Sequence, residues 1–367
     1  VHTAWYVLLG LFFATYLVLG GYDYGVGMLL ARPDRKRSDR KRSDRKRSDR
    51  KRSDRKRSDR KRSEGGGEDR RRADLTALGP YFLGNEVWLV AAVGILFGAF
   101  PMLEGELLSG LYPAVLLALG GVVVVTVAVP LRSRPSDVRW RHRWDRAVVA
   151  GSVLAAGGWG IVLAGLVQGV PVAADGHVAG PGQVFTPFTV AGGLLLVALV
   201  SVHGAAFLAL RLPGDSGHRL AGMGRRLVPV ALVAIAAATA LGLLSDRVRD
   251  AVHQPVAGVL LPVVPGIALL LARWAFDRRR PGLAFTATSL ALAAPVLLIG
   301  AATWPYALVS SVDPAASLTV GAAAASEPTL RLLSWLIVPL LPALLGFQLV
   351  SWWIFRGRLD ARTPVYW

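Results

Sequence analysis

The sequence contains no cysteine. That excludes disulfides, thiol redox chemistry and iron–sulfur clusters held by cysteine. Ligands for a haem are also scarce, with six histidines and three methionines in 367 residues. Of these, only His203 lies well inside an apolar run; Met28, Met102 and Met223 fall near run ends or between runs. Transmembrane haems usually take axial histidine or methionine. A bis-ligated haem held by this chain alone is therefore not expected, and no metal ligand set stands out. Lysine is missing everywhere except residues 34–63, where six tandem copies of Asp-Arg-Lys-Arg-Ser contain all of it. That block supplies +12 of the formal net charge of +18. The charge is thus a property of one repeat and of short loops, and a nucleic-acid partner is not expected.

What is abundant is apolar residue, 53% of the chain, arranged in long blocks rather than in alternating faces. About 20 apolar residues at a rise of about 1.5 Å cover a hydrocarbon core of about 30 Å. The pattern predicts an all-α, multi-pass membrane protein with about nine spans, near 4–30, 78–101, 107–131, 147–168, 188–210, 226–244, 256–275, 283–309 and 329–354. The first run is too long for a cleaved signal, has no basic leading segment and shows no small-residue cleavage site before Asp23. Between the first two runs, residues 32–76 form an inserted basic loop. The repeat has no apolar face to bury, so a solvated loop without fixed structure is expected there. Attraction to anionic lipid is its functional alternative.

The loops assign an orientation. Of 42 basic residues, 39 fall after odd-numbered spans, and three (Arg247, Arg249 and Arg331) fall on the other side. Without the 18 basic residues of the repeat, 21 still stand against three. Arginine and lysine are retained on the cytoplasmic side. The N-terminus is therefore expected outside and the C-terminus inside.

Ionisable groups within spans are costly in lipid and mark function by default. Asp23 lies in Gly20-Gly21-Tyr22-Asp23-Tyr24-Gly25, Glu86 in Gly84-Asn85-Glu86-Val87-Trp88, and His203 in Val202-His203-Gly204-Ala205. These three are candidates for a proton pathway. Asn85, Trp88 and Gln348 are candidates for a polar, structural layer. Counted from the basic ends of their spans, Asp23, Glu86, His203 and Gln348 sit at similar depths, roughly 9–12 Å. The bland alternative is a neutral carboxyl or an imidazole bonding neighbouring helices. Gly21 and Gly25 form a small-xxx-small pair suited to close helix packing, and Asp23 lies about 200° around the helix from Gly21, facing a different neighbour. No residue is assigned as catalytic.

Several motifs occur in order along the chain. They include Gly21-Tyr22-Asp23-Tyr24-Gly25-Val26-Gly27-Met28-Leu29, Gly84-Asn85-Glu86-Val87-Trp88-Leu89, Arg143-Trp144-Asp145 and Gln168-Gly169-Val170-Pro171. Further along stand Pro187-Phe188, His203-Gly204-Ala205, Pro305-Tyr306 and Phe347-Gln348. Together they resemble subunit II of the cytochrome bd-type quinol oxidases. The resemblance implies a nine-helix subunit of the bacterial cytoplasmic membrane, paired with a haem-bearing subunit I. Such a complex oxidises quinol and reduces oxygen to water with protons from the cytoplasm. It also implies that haems reside in the partner, that this subunit stabilises the partner and lines proton or oxygen routes, and that quinone and membrane lipid are candidate ligands. This chain has Phe82-Leu83 where the family has Trp-Asp. The carboxylate of that position is absent, and Glu86 or Asp23 would have to serve instead. A transporter or channel built on the same scaffold is the rival reading.

Overall fold

The computed structural model describes residues 1–32, 67–134, 137–173, 175 and 183–359. Among them, nine helices are long and apolar enough to cross a membrane: α1 (His2–Leu29), α3 (Phe82–Ala99), α5 (Tyr112–Arg132), α6 (Val138–Gln168), α7 (Pro187–Arg211), α8 (Gly214–Leu244), α10 (Pro255–Asp277), α11 (Pro281–Ala302) and α13 (Glu327–Ile354). Short helices complete the order: α2 (67–78), α4 (Pro101–Gly110), α9 (Asp246–Ala251) and α12 (Val320–Ala323). A two-stranded hairpin, β1 (Tyr306–Leu308) and β2 (Leu318–Thr319), closes one end.

The number of spans agrees with the apolar runs, but several edges differ for local reasons. The second run bends at Phe100, before Pro101, so α4 is a separate helix and the third span begins only at Tyr112. The eighth helix stops at Ala302, where Pro305 follows and the chain turns into the hairpin. Helices α6 and α8 begin well before their apolar parts, because Arg139–Arg146 and the segment from Gly214 remain helical outside the apolar zone. The inserted loop is also shorter than its sequence suggests. Residues 67–78 are helical and pack onto the bundle, while the repeat itself lies outside the described residues.

Backbone and ion-pair contacts sort the connections into two ends. At one end Arg32 pairs with Asp74, Arg132 with Asp145 at 2.5 Å, and Arg225 with Asp277 at 3.0 Å. There too the Leu359 N–H donates to Arg211 O at 3.0 Å, and the Tyr81 hydroxyl to Phe355 O at 2.9 Å. At the other end Val170 N–H donates to Val309 O, Ala325 N–H to Ala99 O, and His253 N–H to Ala302 O, all within 2.9 Å. The arginine-rich loops thus share one end of the bundle.

Helix α1 is the hub, packed against α7, α3, α6 and α11. Its approach to α7 is set by glycine. A Cβ on Gly25 would lie 2.0 Å from the Val200 carbonyl oxygen, and one on Gly204 would lie 2.4 Å from the Gly25 carbonyl carbon. Helix α13 is different. It packs on α3, and none of its apolar window is buried within the chain. Trp335 and Leu332 stand exposed along it.

Two predictions come from this packing. Gly25→Val should push α1 from α7, with a cost of several kcal/mol because backbone atoms cannot yield as side chains do. The folded yield in membranes should collapse, whereas Gly94→Ala, with open space around its added methyl, should leave it intact. Fluorescence-detected gel filtration of both variants reads the difference.

Asp74 on α2 gives the second. It is fully buried, and burial pushes its carboxyl up to about 6 even though Arg32, Arg70 and Arg71 pull it down. The folded value lies above the unfolded one, so the folded chain binds this proton more tightly. Its stabilising contribution is complete below about pH 4 and is lost as pH rises through about 6. The stability of the unaltered chain relative to Asp74→Asn should therefore fall by roughly 3 kcal/mol across that window and stay flat above it. Thermal melts of both proteins between pH 4.5 and 7.5 measure this; parallel curves would contradict it.

Candidate functional site

The site begins on the face of α1 turned away from α7. Asp23 is buried and meets α3, where the Asn85 amide donates to Asp23 Oδ2 at 2.9 Å. The same amide nitrogen lies 2.7 Å from the Tyr22 hydroxyl and 3.2 Å from Leu19 O. Asp23 Oδ1 and Asn85 Oδ1 are both buried with no hydrogen-bond partner among the described residues. Two buried acceptors without a donor cost about 1–3 kcal/mol each. A proton on Asp23 would turn one of them into a donor, so this pair is built to hold one.

The other candidates are arranged around this centre without forming one wire. Glu86 is half-buried and accepts from the Thr126 hydroxyl of α5. Among the described residues no hydrogen bond joins it to Asp23. Trp88 Nε1 donates to Gln348 Oε1 at 3.2 Å, a polar link between α3 and α13. His203 is fully buried; its Nε2 lies 3.0 Å from Val18 O and its Nδ1 2.8 Å from the Thr288 hydroxyl. A carbonyl only accepts, so Nε2 carries a hydrogen, and the ring bridges α1, α7 and α11. Both nitrogens are engaged in holding helices together.

Sequence reasoning missed several members. Tyr22 sits beside Asp23 in the same glycine-rich motif and stacks on Phe207 at 4.2 Å. The Tyr16 and Tyr24 hydroxyls lie 2.5 Å apart, and Trp159 Nε1 donates to Tyr16 at 3.1 Å. Their only sequence signal was an unusual density of tyrosine in α1. A buried ion-pair network at the arginine-rich end, with Arg132 between Asp145 and Glu68, was foreshadowed only by the Arg143-Trp144-Asp145 motif.

Leu83 is exposed, at 62%, on the outside of the bundle. A carboxylate there would point out of this chain, away from Asp23. Glu86 is three residues on, so it lies about 60° around α3 and roughly one turn along. Its side chain occupies the region that an acid at position 83 would border.

Among the described residues, the candidate axial ligands His203, Met28 and Met102 are not poised to hold a haem. His203 has both ring nitrogens engaged, Met28 Sδ accepts from the Ser201 hydroxyl at 3.3 Å, and Met102 is exposed. No cluster of three metal-binding side chains occurs among the described residues. A groove of about 220 Å³ between α1, α3 and α13 is lined by Trp5, Phe12, Ile95, Leu333, Ile337 and neighbouring aliphatic residues. It suits an apolar chain, and the Trp5 indole is its one hydrogen-bonding side chain.

The chain is 27% identical over 369 residues to the cytochrome bd ubiquinol oxidase subunit 2 of Bacillus subtilis, covering 100% of this chain and 98% of that one. It is 27% identical over 394 residues to the cytochrome bd-I ubiquinol oxidase subunit 2 of Escherichia coli K12, covering 97% and 94%. Its fold is similar to a chain of the bd oxidase from Geobacillus thermodenitrificans, with a TM-score of 0.67 at 18% identity over 96% of this chain and 98% of that chain. The sequence pattern of the cytochrome bd terminal oxidase subunit II family matches residues 58–355. The chain therefore belongs to the cytochrome bd terminal oxidase subunit II family.

Proposed function

We propose that the chain is the non-haem subunit of a quinol:oxygen oxidoreductase in the bacterial cytoplasmic membrane, where it supports a haem-bearing subunit I and carries part of the proton supply. The family match over residues 58–355 is the observation that carries this reading. The engagement of both ring nitrogens of His203 supports placing the haems in the partner. Quinol binding is assigned to the complex; the α1–α3–α13 groove offers a place for an apolar tail, and its lining offers little to a quinone ring. The basic end of the bundle faces the cytoplasm, by the retention of arginine on that side.

Proton supply falls to Glu86 and Asp23. Glu86 is reachable from the outer surface of α3 and borders the position where the family's acid is replaced by Leu83. Asp23 lies further in, with an oxygen that has no hydrogen-bond partner among the described residues and can take a proton. A relay between them requires side-chain motion, since no hydrogen bond joins them among the described residues.

The first test is composition. Purified from native membranes, this chain should bring down a haem-bearing subunit, visible in a reduced-minus-oxidised spectrum. A stable preparation of this chain that transports a solute without haem would support the transporter reading instead.

The second test separates relay from scaffold. Glu86→Gln keeps the Thr126 hydrogen bond, and Asp23→Asn keeps a partner for Asn85, but neither amide releases a proton. Quinol-dependent oxygen uptake should fall by roughly tenfold or more in each, with haem content per complex unchanged. Normal turnover in both variants would remove these residues from the proton supply. Loss of haem together with turnover would make them structural.

A further inference from the structure

A second cavity, of about 330 Å³, opens at the arginine-rich end of the bundle and has no part in the reading above. It is lined by Leu30 and Ala31 at the end of α1, Arg71 on α2, and His142, Asp145, Arg146, Val149 and Ala150 on α6. The spacing 142, 146, 149, 150 places these α6 residues on one helix face. Along that face the sequence changes character. Arg139, Arg141, Arg143 and Arg146 give way at Ala147 to apolar residues that continue to Leu166. The cavity therefore straddles the boundary between the charged and the lipid-embedded part of α6.

We propose that this cavity binds the phosphate of an anionic phospholipid, with Arg71, His142 and Arg146 around the headgroup and Leu30, Val149 and Ala150 against the first acyl carbons. The acid in the lining, Asp145, is held on one side by a cation behind the cavity. Asp145 Oδ1 is held by Arg132 at 2.5 Å, and its Oδ2 lies 3.7 Å from Arg71 and 3.8 Å from His142. Glu68 is likewise engaged by Arg132 at 3.1 Å and Arg141 at 3.5 Å. Glu68 is thus committed to cations behind the cavity, whereas Asp145 Oδ2 has no hydrogen-bond partner among the described residues and faces the lining cations Arg71 and His142. Arg146 is exposed at the mouth and forms no ion pair among the described residues. Positive charge over an apolar floor at the membrane boundary matches the chemistry of an anionic lipid, since a phosphate gains charge-assisted bonds while its chains stay in hydrocarbon. A free phosphate would share the first half of that recognition and gain nothing from the floor.

The test uses the intact complex, stripped of lipid in neutral detergent and titrated with phosphatidylglycerol, with bound lipid counted by native mass spectrometry. Phosphatidylglycerol should bind in preference to phosphatidylcholine. Arg146→Gln should weaken its binding by about fivefold, the effect of one cation near a lipid surface. Arg143→Gln removes the same charge one residue outside the cavity lining and should change binding little. Equal losses in both variants would reduce the effect to diffuse surface charge and overturn the site. So would an absent preference for phosphatidylglycerol. Displacement of the lipid by inorganic phosphate at equal concentration would assign the cavity to a small anion and overturn the lipid reading.

Discussion

Helix α1 can touch four other spans only because two glycines let it lie backbone to backbone against α7. At Gly25 and Gly204 there is no room for a single methyl group on either side. Helix association in lipid gains nothing from the hydrophobic effect, because the tails are as apolar as the side chains; close packing and buried hydrogen bonds must supply it. The contact at Gly25 and Gly204 provides the first. It also fixes the rotation of α1, and that rotation decides where every polar group of the helix points. With Gly21 and Gly25 turned to α7, Asp23 is turned to α3, and Asn85 is the group it meets.

The consequence is a division of polar work by direction rather than by depth. His203 bridges three helices with a ring whose two nitrogens are both used, which suits a fixed joint. The Asp23–Asn85 pair keeps two buried oxygens without a hydrogen-bond partner among the described residues. A scaffold rigid on one side of α1 can hold such a pair on the other without collapsing around it. Tyr22 lies between the two, accepting from Asn85 while its ring stacks on Phe207, so the joint and the pair share one aromatic wall.

Much of this was legible in the sequence, for reasons that differ by feature. The nine spans were readable because the length of an apolar run is set by the bilayer, not by packing. Their ends were not, since arginine-rich turns such as 139–146 remain helical beyond the apolar zone and hydropathy alone does not mark where helix stops. The polar layer of Asp23, Glu86, His203 and Gln348 was expected from rise per residue alone, which converts position along a helix into depth. Which of these residues meet was not readable. That depends on the rotation of each helix about its axis, and only the glycine seam of α1 gave a rotation in advance. For Glu86 and Gln348 nothing in the sequence named Thr126 or Trp88 as partners.

Helix rotation also explains the departure at Leu83. An acid there would project outward, into whatever covers α3, and not into the Asp23 pair. Its replacement by leucine therefore leaves the interior of this chain intact and changes only its outer surface. Glu86, about 60° away on the same helix, restores an acid near that surface while keeping a hydrogen bond to α5. The exposed apolar length of α13 is joined to α3 on another face, through Trp88 and Gln348, since Trp88 lies about 200° around the helix from Glu86. Glu86 and Leu83 therefore share an outer face of α3, and Glu86 is the acid that the chain keeps there, tied back to the bundle through Thr126.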